Sequence, residues 1–335
     1  MRNILIVASL LIGSSTLFMT QIFTQPLNIS ETEYLIVDKG EGISSLATKL
    51  SASDWLPHPA FLFRLYGRLS ATAGHIKVGE YKIEPGMTPA ELLFLLRSGD
   101  VIQRTVTFPE GWTTAQWLKL LAQTPFLRRD NPAEMVEMIT DLAAWEGRLY
   151  PDTYAYTRAD SAFDVIKRAR RKMESELTEL WQLRSNTAEV ASAEEALILA
   201  SLIEKETGYG PDRAIIASVF NNRLRRGMKL QSDPTVIYGL EDFDGDLKRS
   251  HLGAVHPYNT YVHRGLPAGP ICNPGRASIQ AAVQPQASPY LYFVAQGDGR
   301  SYFSTSLQEH NAAVSRFQKA GRVEKYRSAP PVETN

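Results

Sequence analysis

The stretch Ser192–Thr207 reads SAEEALILASLIEKET and predicts the helix on which the second half of the chain is organised. It opens with a capping box, in which the Ser192 hydroxyl accepts from the Glu195 amide and the Glu195 side chain reaches back to the Ser192 amide. Apolar residues then recur at helical spacing. We expect the helix to end near Gly208, because a glycine can take the left-handed conformation there.

Glu206 extends the apolar face of this helix, because it follows Ile203, Leu202 and Leu199 by three, four and seven residues. Its carboxyl group should therefore be partly desolvated, and it lies in the last turn, where the helix dipole is negative. Both effects raise the pKa of a carboxyl group, as the general acid of a glycosidase requires. The pattern indicates Glu206 as a catalytic acid.

Glu204 points away from Glu206, because two helical residues turn the side-chain direction by about 200°. We expect it to pair with solvent or a neighbouring cation and to support the acid. A second interpretation is that Glu204, Lys205 and Glu206 form only a solvated helix end, as charge runs usually do. Spacing alone leaves both interpretations open.

Two downstream stretches, Leu230–Gly239 and Tyr258–Tyr261, carry amide, carboxylate, hydroxyl and phenol groups suited to sugar hydroxyls. Aromatic faces there could stack on pyranose rings, and Asn259 could hold an acetamido group. The alternative is that Asp233 and Asn259 only cap turns. The predicted substrate-binding residues are Gln231, Asp233, Thr235, Tyr238, Tyr258, Asn259 and Thr260.

The N-terminus predicts a membrane anchor. No charged residue lies between Arg2 and Glu31, and Ile4–Phe23 is mostly apolar. About 20 such residues cross a bilayer as a helix, and the positive-inside rule then places the rest of the chain outside the cytoplasm. The alternatives are a cleaved signal peptide with Ile4–Ile12 as its apolar region, and a buried core helix. We favour the anchor because apolar residues resume at Leu17.

A small unit after the anchor has the predicted order strand, helix, helix, strand. Further helices and strands follow it, which indicates an α+β fold. The predicted elements are Tyr34–Val37, Gly42–Leu50, Pro57–Leu69, Val78–Ile83, Pro89–Arg97, Arg104–Phe108, Thr114–Gln123, Pro132–Trp145 and Phe163–Leu183.

Composition argues against several classes of protein. Lys plus Arg and Asp plus Glu number 36 each, so there is no basic field for nucleic acid. The single cysteine, Cys272, excludes a disulfide within the chain and has no evident histidine partner for nucleophilic catalysis. His251, His256 and His263 match no helical zinc motif. No metal or organic cofactor is expected.

Several blocks of the sequence match a known family. They are Pro109–Thr113, Leu149–Tyr154, Ala200–Thr207, Ala217–Leu224, Leu230–Tyr238, Tyr258–Tyr261, Gly265–Gly275 and Tyr290–Val294. These blocks closely resemble the endolytic murein transglycosylases of the MltG or YceG-like family, and the resemblance runs from about Gly40 to Asn311. It implies that the second glutamate of the Glu-Lys-Glu run, here Glu206, is catalytic.

The same resemblance implies an enzyme that cuts peptidoglycan glycan strands between MurNAc and GlcNAc. The products would carry 1,6-anhydro-MurNAc ends, and cutting of nascent strands near peptidoglycan synthases would limit strand length. Two departures stand out: Ala268 follows Pro267 where the family usually has a second proline, and Ser301 stands where many relatives carry a histidine.

The predicted organisation is an anchor in 1–27, a LysM-like glycan-binding module in 28–100, a connecting α/β region in 101–190, a catalytic domain in 191–320 and a flexible tail in 321–335. We expect a single-pass protein of the cytoplasmic membrane with its catalytic domain on the outer side. The rivals are a hydrolytic muramidase, with Asp233 as second carboxylate, and a non-catalytic wall-binding scaffold.

Overall fold

The computed structural model describes residues 23–70, 75–128 and 142–320, which divide into two compact units. The described part of the first unit comprises 23–70, 75–106, 125–128 and 155–161. The second comprises 107–124, 142–154 and 162–320. Helices and strands occur in both, so the predicted α+β class is confirmed, while the region 101–190 is divided between the two units.

The first unit has the predicted order of strand, helix, helix and strand. Strands β1 and β2 pair antiparallel, with Leu35 opposite Tyr81. Apolar side chains of the sheet and helices form one core, which includes Leu46, Leu50 and Leu92. The elements are β1 (Glu33–Val37), α1 (Ile43–Ala52), α2 (Ala60–Leu69), β2 (Gly79–Ile83) and α3 (Pro89–Ser98).

Local sequence signals fix the ends of α3. Thr88 and Glu91 form a capping box at its N-terminus, and Gly99 ends it with a φ of 73°. A glycine adopts that left-handed conformation without the steric cost that a side chain would add. The predicted bounds of this helix are therefore confirmed to within one residue.

The second unit is built around α7 (Ala193–Glu206), whose apolar side chains are buried among its neighbouring helices. The other elements are β3 (Arg104–Thr107) and β4 (Thr153–Tyr156), which the unit boundary divides, then α4 (Thr114–Gln123), α5 (Leu142–Trp145), α6 (Ala162–Gln182), α8 (Arg213–Arg225), α9 (Asp233–Tyr238), α10 (Arg249–Leu252), α11 (Arg276–Val283), β5 (Tyr292–Ala295), β6 (Ser301–Ser304) and α12 (Leu307–Val314).

The ends of α7 differ from the sequence-based prediction in two details. The Ser192 hydroxyl accepts from the Glu195 amide at 3.1 Å, as predicted, but the Glu195 carboxylate accepts from the Ala191 amide at 2.6 Å. The helix ends at Glu206 because Thr207 is extended, with a φ of −148°. Gly208 is not among the glycines with positive φ, so the predicted left-handed cap is wrong.

Within the described residues, no helix is long and apolar enough to cross a membrane. The predicted anchor Ile4–Phe23 lies outside those residues except for Phe23. The Phe23 ring is buried and stacks on Tyr66 of α2, with 4.0 Å between ring centroids. Of the predicted helix Pro132–Trp145, only Leu142–Trp145 falls in the described ranges, and it is helical.

Candidate active site

Glu206 lies at the C-terminal end of α7 and is half-buried. The residues that precede it on the same face, Leu199, Leu202 and Ile203, are fully buried. Its Oε1 atom accepts a hydrogen bond from the Ser232 hydroxyl at 2.5 Å. The predicted apolar face is therefore confirmed, and it carries the carboxyl group into the protein while leaving part of the residue accessible.

The pKa of Glu206 is raised to about 7 from the usual 4.5, chiefly because burial disfavours the charged form. The nearby negative charge of Asp233 raises the pKa further, whereas the Ser232 hydrogen bond and the positive charge of Arg223 lower it. The predicted upward shift is thus confirmed, with desolvation as its main cause. A carboxyl group with this pKa can give up and recover a proton at neutral pH.

Arg223 places a buried positive charge in the neighbourhood of Glu206. It lies on α8, and its Nε and Nη1 atoms donate to the backbone oxygens of Leu291 and Leu230, each at 2.7 Å. The guanidinium also faces the Tyr292 ring at 5.3 Å. Arg223 therefore ties the start of β5 to the loop that leads to Ser232.

The loop before α9 holds Ser232 against Glu206. Gln231 has a φ of 50°, an unusual conformation for a residue other than glycine, and its amide donates to the Thr260 oxygen at 3.2 Å. The Ser232 amide donates to the Thr260 hydroxyl at 3.0 Å, and the Thr260 and Thr235 hydroxyls lie 2.8 Å apart. Thr235 and Thr260 are buried, so in this structure they support the Ser232 backbone.

Asp233 is exposed at the first position of α9. Its Oδ1 atom accepts from the Tyr261 hydroxyl at 2.6 Å. Burial and the hydrogen bond to Asp233 raise the pKa of Tyr261, which keeps that phenol protonated. Gln231 and Asp233 thus present exposed side chains on either side of Ser232 in the sequence, where a ligand can reach them.

Asn259 is fully buried, and its side-chain amide is engaged within its own loop. The Nδ2 atom donates to the backbone oxygens of Ala254 at 2.6 Å and Leu252 at 3.2 Å, and Oδ1 accepts from the Tyr261 amide at 2.8 Å. These contacts are those of a residue that shapes a turn, in agreement with the alternative interpretation of this side chain. Its predicted contact with an acetamido group stays a prediction.

Tyr238 and Tyr258 meet edge to face, with 4.8 Å between ring centroids. The Tyr238 hydroxyl donates to Glu146 Oε2 at 3.2 Å, and Glu146 also accepts from the Thr114 amide at 3.0 Å. Burial raises the pKa of Glu146 to about 6, although these hydrogen bonds oppose the shift. Both rings are half-buried, and the hydroxyl of Tyr238 is directed to this second buried carboxyl group.

Glu204 is almost fully buried, with 5% of its side chain exposed. It forms an ion pair with Arg213 at 3.1 Å and accepts from the Gly275 amide at 2.9 Å. The predicted neighbouring cation is therefore confirmed as Arg213. Arg213 also contacts Glu110 at 3.4 Å, and burial together with the charge of Glu204 raises the pKa of Glu110.

Cys272 lies in the core beside Ser201 of α7. The Cys272 thiol is buried, its pKa is raised by burial, and it donates to the Ser201 oxygen at 3.3 Å. In the part of the chain that the structure describes, no three His, Cys, Asp or Glu residues form a group able to hold a metal ion.

Four residues of the site, Arg223, Ser232, Tyr261 and Glu146, are not among those that the sequence predicts. One signal could have found Arg223, because it follows Phe220 and Val219 by three and four residues and so extends an apolar face as Glu206 does. Glu146 carries no comparable signal, since its partners Thr114 and Tyr238 are remote in sequence.

The chain is similar to one family of known proteins. A model of the YceG-like family matches residues 35–316. The endolytic murein transglycosylase of Bacillus subtilis (strain 168) is 30% identical in an alignment that covers 92% of this chain and 91% of that protein. The endolytic murein transglycosylase of Streptococcus pneumoniae serotype 2 is 25% identical over 87% of this chain but only 59% of its own length.

A solved structure also matches. The crystal structure of a yceG-like protein from Listeria monocytogenes superposes with a TM-score of 0.50 at 31% sequence identity. The match covers 85% of this chain and 99% of that one.

Proposed function

The chain belongs to the YceG-like family, and we propose that it is an endolytic peptidoglycan lytic transglycosylase in which Glu206 is the catalytic acid. One observation carries the proposal: a half-buried carboxyl group ends α7 with its pKa raised to about 7 and with the Ser232 hydroxyl as a hydrogen-bond donor. The name of the Bacillus subtilis relative supplies the substrate, murein.

In the first step, protonated Glu206 donates its proton to the oxygen that links C1 of MurNAc to GlcNAc. The bond from C1 to that oxygen breaks, GlcNAc leaves with the proton, and positive charge develops at C1. The ionised carboxylate left behind is stabilised by the Ser232 hydroxyl and by the positive charge of Arg223. A pKa near 7 suits both the donation and the return of the proton.

In the second step, the Glu206 carboxylate takes the proton from the 6-hydroxyl of the same MurNAc residue. The oxygen of the 6-hydroxyl bonds to C1 and closes a 1,6-anhydro ring. Glu206 is then protonated for the next cycle. Water does not enter the product, so one carboxyl group performs both proton transfers. Ordinary glycosidases divide these tasks between two carboxyl groups.

The proposed substrate contacts are the exposed side chains of Gln231 and Asp233 and the half-buried rings of Tyr238 and Tyr258. The first unit, with its order of strand, helix, helix and strand, is proposed to bind glycan as a LysM-like module. We further propose that Ile4–Phe23 anchors the chain in the cytoplasmic membrane, and that nascent strands beside peptidoglycan synthases are cut there.

The test is digestion of isolated sacculi followed by chromatography and mass analysis of the soluble products. The wild type should release fragments with anhydro ends, which are lighter by one water than the hydrolytic products. Glu206→Gln should lower the rate by about 10²- to 10⁴-fold, the usual contribution of general acid catalysis. The matched control is Glu194→Gln in the first turn of the same helix, which should leave the rate unchanged.

Three outcomes separate the alternatives. Retained activity in Glu206→Gln would reject Glu206 as the acid. Products with hydrated reducing ends would favour a muramidase, for which the exposed Asp233 carboxylate near Glu206 is the candidate second group. A wild-type protein that binds sacculi without releasing fragments would be the wall-binding scaffold.

A further inference from the structure

Helix α2 exposes a line of large apolar side chains. Phe61, Leu65 and Leu69 are 55%, 43% and 71% exposed. They are spaced by four residues, so they lie on one face of the helix. We call these three residues the apolar stripe. Most large apolar side chains exposed by a soluble protein are scattered singly, whereas a continuous apolar face marks a contact surface.

The opposite face of α2 is packed in the core of the first unit. Phe63 and Gly67 are buried, and a side chain at Gly67 would meet Ile43 at 2.7 Å. The helix is therefore held in its orientation by its buried face, and the apolar stripe cannot turn inward without unpacking Phe63.

Different residues border the two edges of the apolar stripe. At 100° per residue, Arg64 and Arg68 lie along one edge and Tyr66 along the other. An apolar face bordered by arginines and an aromatic residue is typical of helices that lie in the headgroup region of a membrane. The positive charges of the arginines complement anionic headgroups.

The last residue of the N-terminal apolar segment, Phe23, contacts α2. Phe23, the last residue of Ile4–Phe23, is 4% exposed, and its ring stacks on Tyr66 at an interplanar angle of 14°. If that segment crosses the bilayer, its outer end lies at the membrane surface. The stacked pair then brings Tyr66, and with it the edge of the apolar stripe, to the same surface.

We propose that the apolar stripe of α2 lies in the outer interface of an anionic bilayer, with Arg64 and Arg68 directed to the headgroup phosphates. This inference rests on the proposed membrane anchor. The contact would fix the orientation of the first unit on the membrane, instead of leaving it free to rotate about a single chain connection. The occupant is the lipid surface; a second copy of the chain is the competing outcome of the test.

The test uses the full chain with Cys272→Ala, reconstituted in vesicles of phosphatidylcholine with phosphatidylglycerol. Leu65→Cys is labelled with the environment-sensitive dye NBD. The matched control is Lys82→Cys, because Lys82 is exposed on β2 of the same unit between the buried residues Tyr81 and Ile83. We expect blue-shifted emission and quenching by spin-labelled lipid at position 65, with neither at position 82.

Charge is tested separately with Arg64→Gln combined with Arg68→Gln, which should reduce the lipid quenching at position 65 in anionic vesicles. Flotation after an alkaline wash tests the anchor on its own. A chain that fails to float overturns the anchor and this inference with it. A floating chain whose position 65 emits as in water overturns this inference alone, as does a blue shift that grows with protein density and is insensitive to the lipid quencher.

Discussion

The surroundings of Glu204 and of Glu206 differ sharply, although the two residues are two positions apart in one helix turn. Glu204 is buried against a cation and a backbone amide, Arg213 and Gly275. Glu206 is half-buried with a hydroxyl as its hydrogen-bond donor and a like charge, Asp233, close by. The contacts of Glu204 compensate the free-energy cost of burying a negative charge. The contacts of Glu206 leave much of that cost uncompensated.

The difference distinguishes a carboxylate that stabilises the fold, Glu204, from a carboxyl group suited to proton transfer, Glu206. An ion pair with a second hydrogen bond compensates the charge of its carboxylate and joins distant segments of the chain. A carboxyl group that is desolvated without an ion pair changes its charge easily near neutral pH. The rotation of the helix by about 200° over two residues is enough to produce both environments.

The largest effect on stability is expected when the ion pair of Glu204 is broken. Arg213→Met leaves the carboxylate, 5% exposed, without its cation, so unfolding in urea should show a loss of about 3 kcal/mol. The matched control is Arg225→Met on the same helix, which removes an exposed ion pair with Glu189 and should cost less than about 1 kcal/mol. Equal losses in the two variants would contradict the role given to Glu204.

Glu206→Gln should have the opposite effect on stability. A folded-state pKa raised from 4.5 to about 7 means that the carboxyl group stabilises the fold fully below pH 4.5, and that this stability is lost as the pH rises through 7. Glutamine does not titrate. The variant should therefore match the wild type at pH 4 and exceed it by up to about 3 kcal/mol at pH 8, since each pKa unit corresponds to about 1.4 kcal/mol.

Urea unfolding of both proteins across this pH range measures the difference. Glu146, whose pKa is raised to about 6, titrates in both proteins and cancels in the comparison. Glu194→Gln serves as the control, because Glu194 is 43% exposed in its ion pair with Arg148. A stability difference between Glu206→Gln and the wild type that does not change with pH would show that the carboxyl group is not desolvated.

Much of this site could be predicted from local sequence. The apolar spacing of α7 predicts its buried face and the position of Glu206 on it, and the described helices and strands of the first unit follow from their capping and periodicity signals. The pattern also predicts the direction of the pKa shift. It does so because burial, the main cause, depends on which face of the helix the residue occupies.

Contacts between remote segments could not be predicted in the same way. Ser232 donates to Glu206 while Thr260 holds the Ser232 backbone amide, and nothing in either short stretch specifies that pairing. Asparagine is a common ligand-binding residue, yet the side-chain amide of Asn259 forms its hydrogen bonds with the backbone of its own loop. A polar side chain in a sequence does not reveal whether its partner will be substrate or backbone.

The smallest effect is expected for Ser232→Ala. The Ser232 hydroxyl donates to the charged form of Glu206 and lowers its pKa, so removal of the hydroxyl should raise that pKa further. In a plot of the rate of sacculus digestion against pH, the alkaline limb should shift to higher pH by about one unit or less, because one hydrogen bond is lost. The exposed serine variant Ser250→Ala should leave the limb in place, and a downward shift in Ser232→Ala would contradict the assignment.

The most direct test is the titration of Glu206 itself by NMR of protein labelled with carbon-13 at the glutamate side-chain carboxyl. One signal should be absent from Glu206→Gln and should titrate with a midpoint near pH 7 in the wild type, the pKa expected from burial. A midpoint near 4.5 for that signal would show a solvated carboxylate and would contradict the assignment of Glu206 as the proton donor.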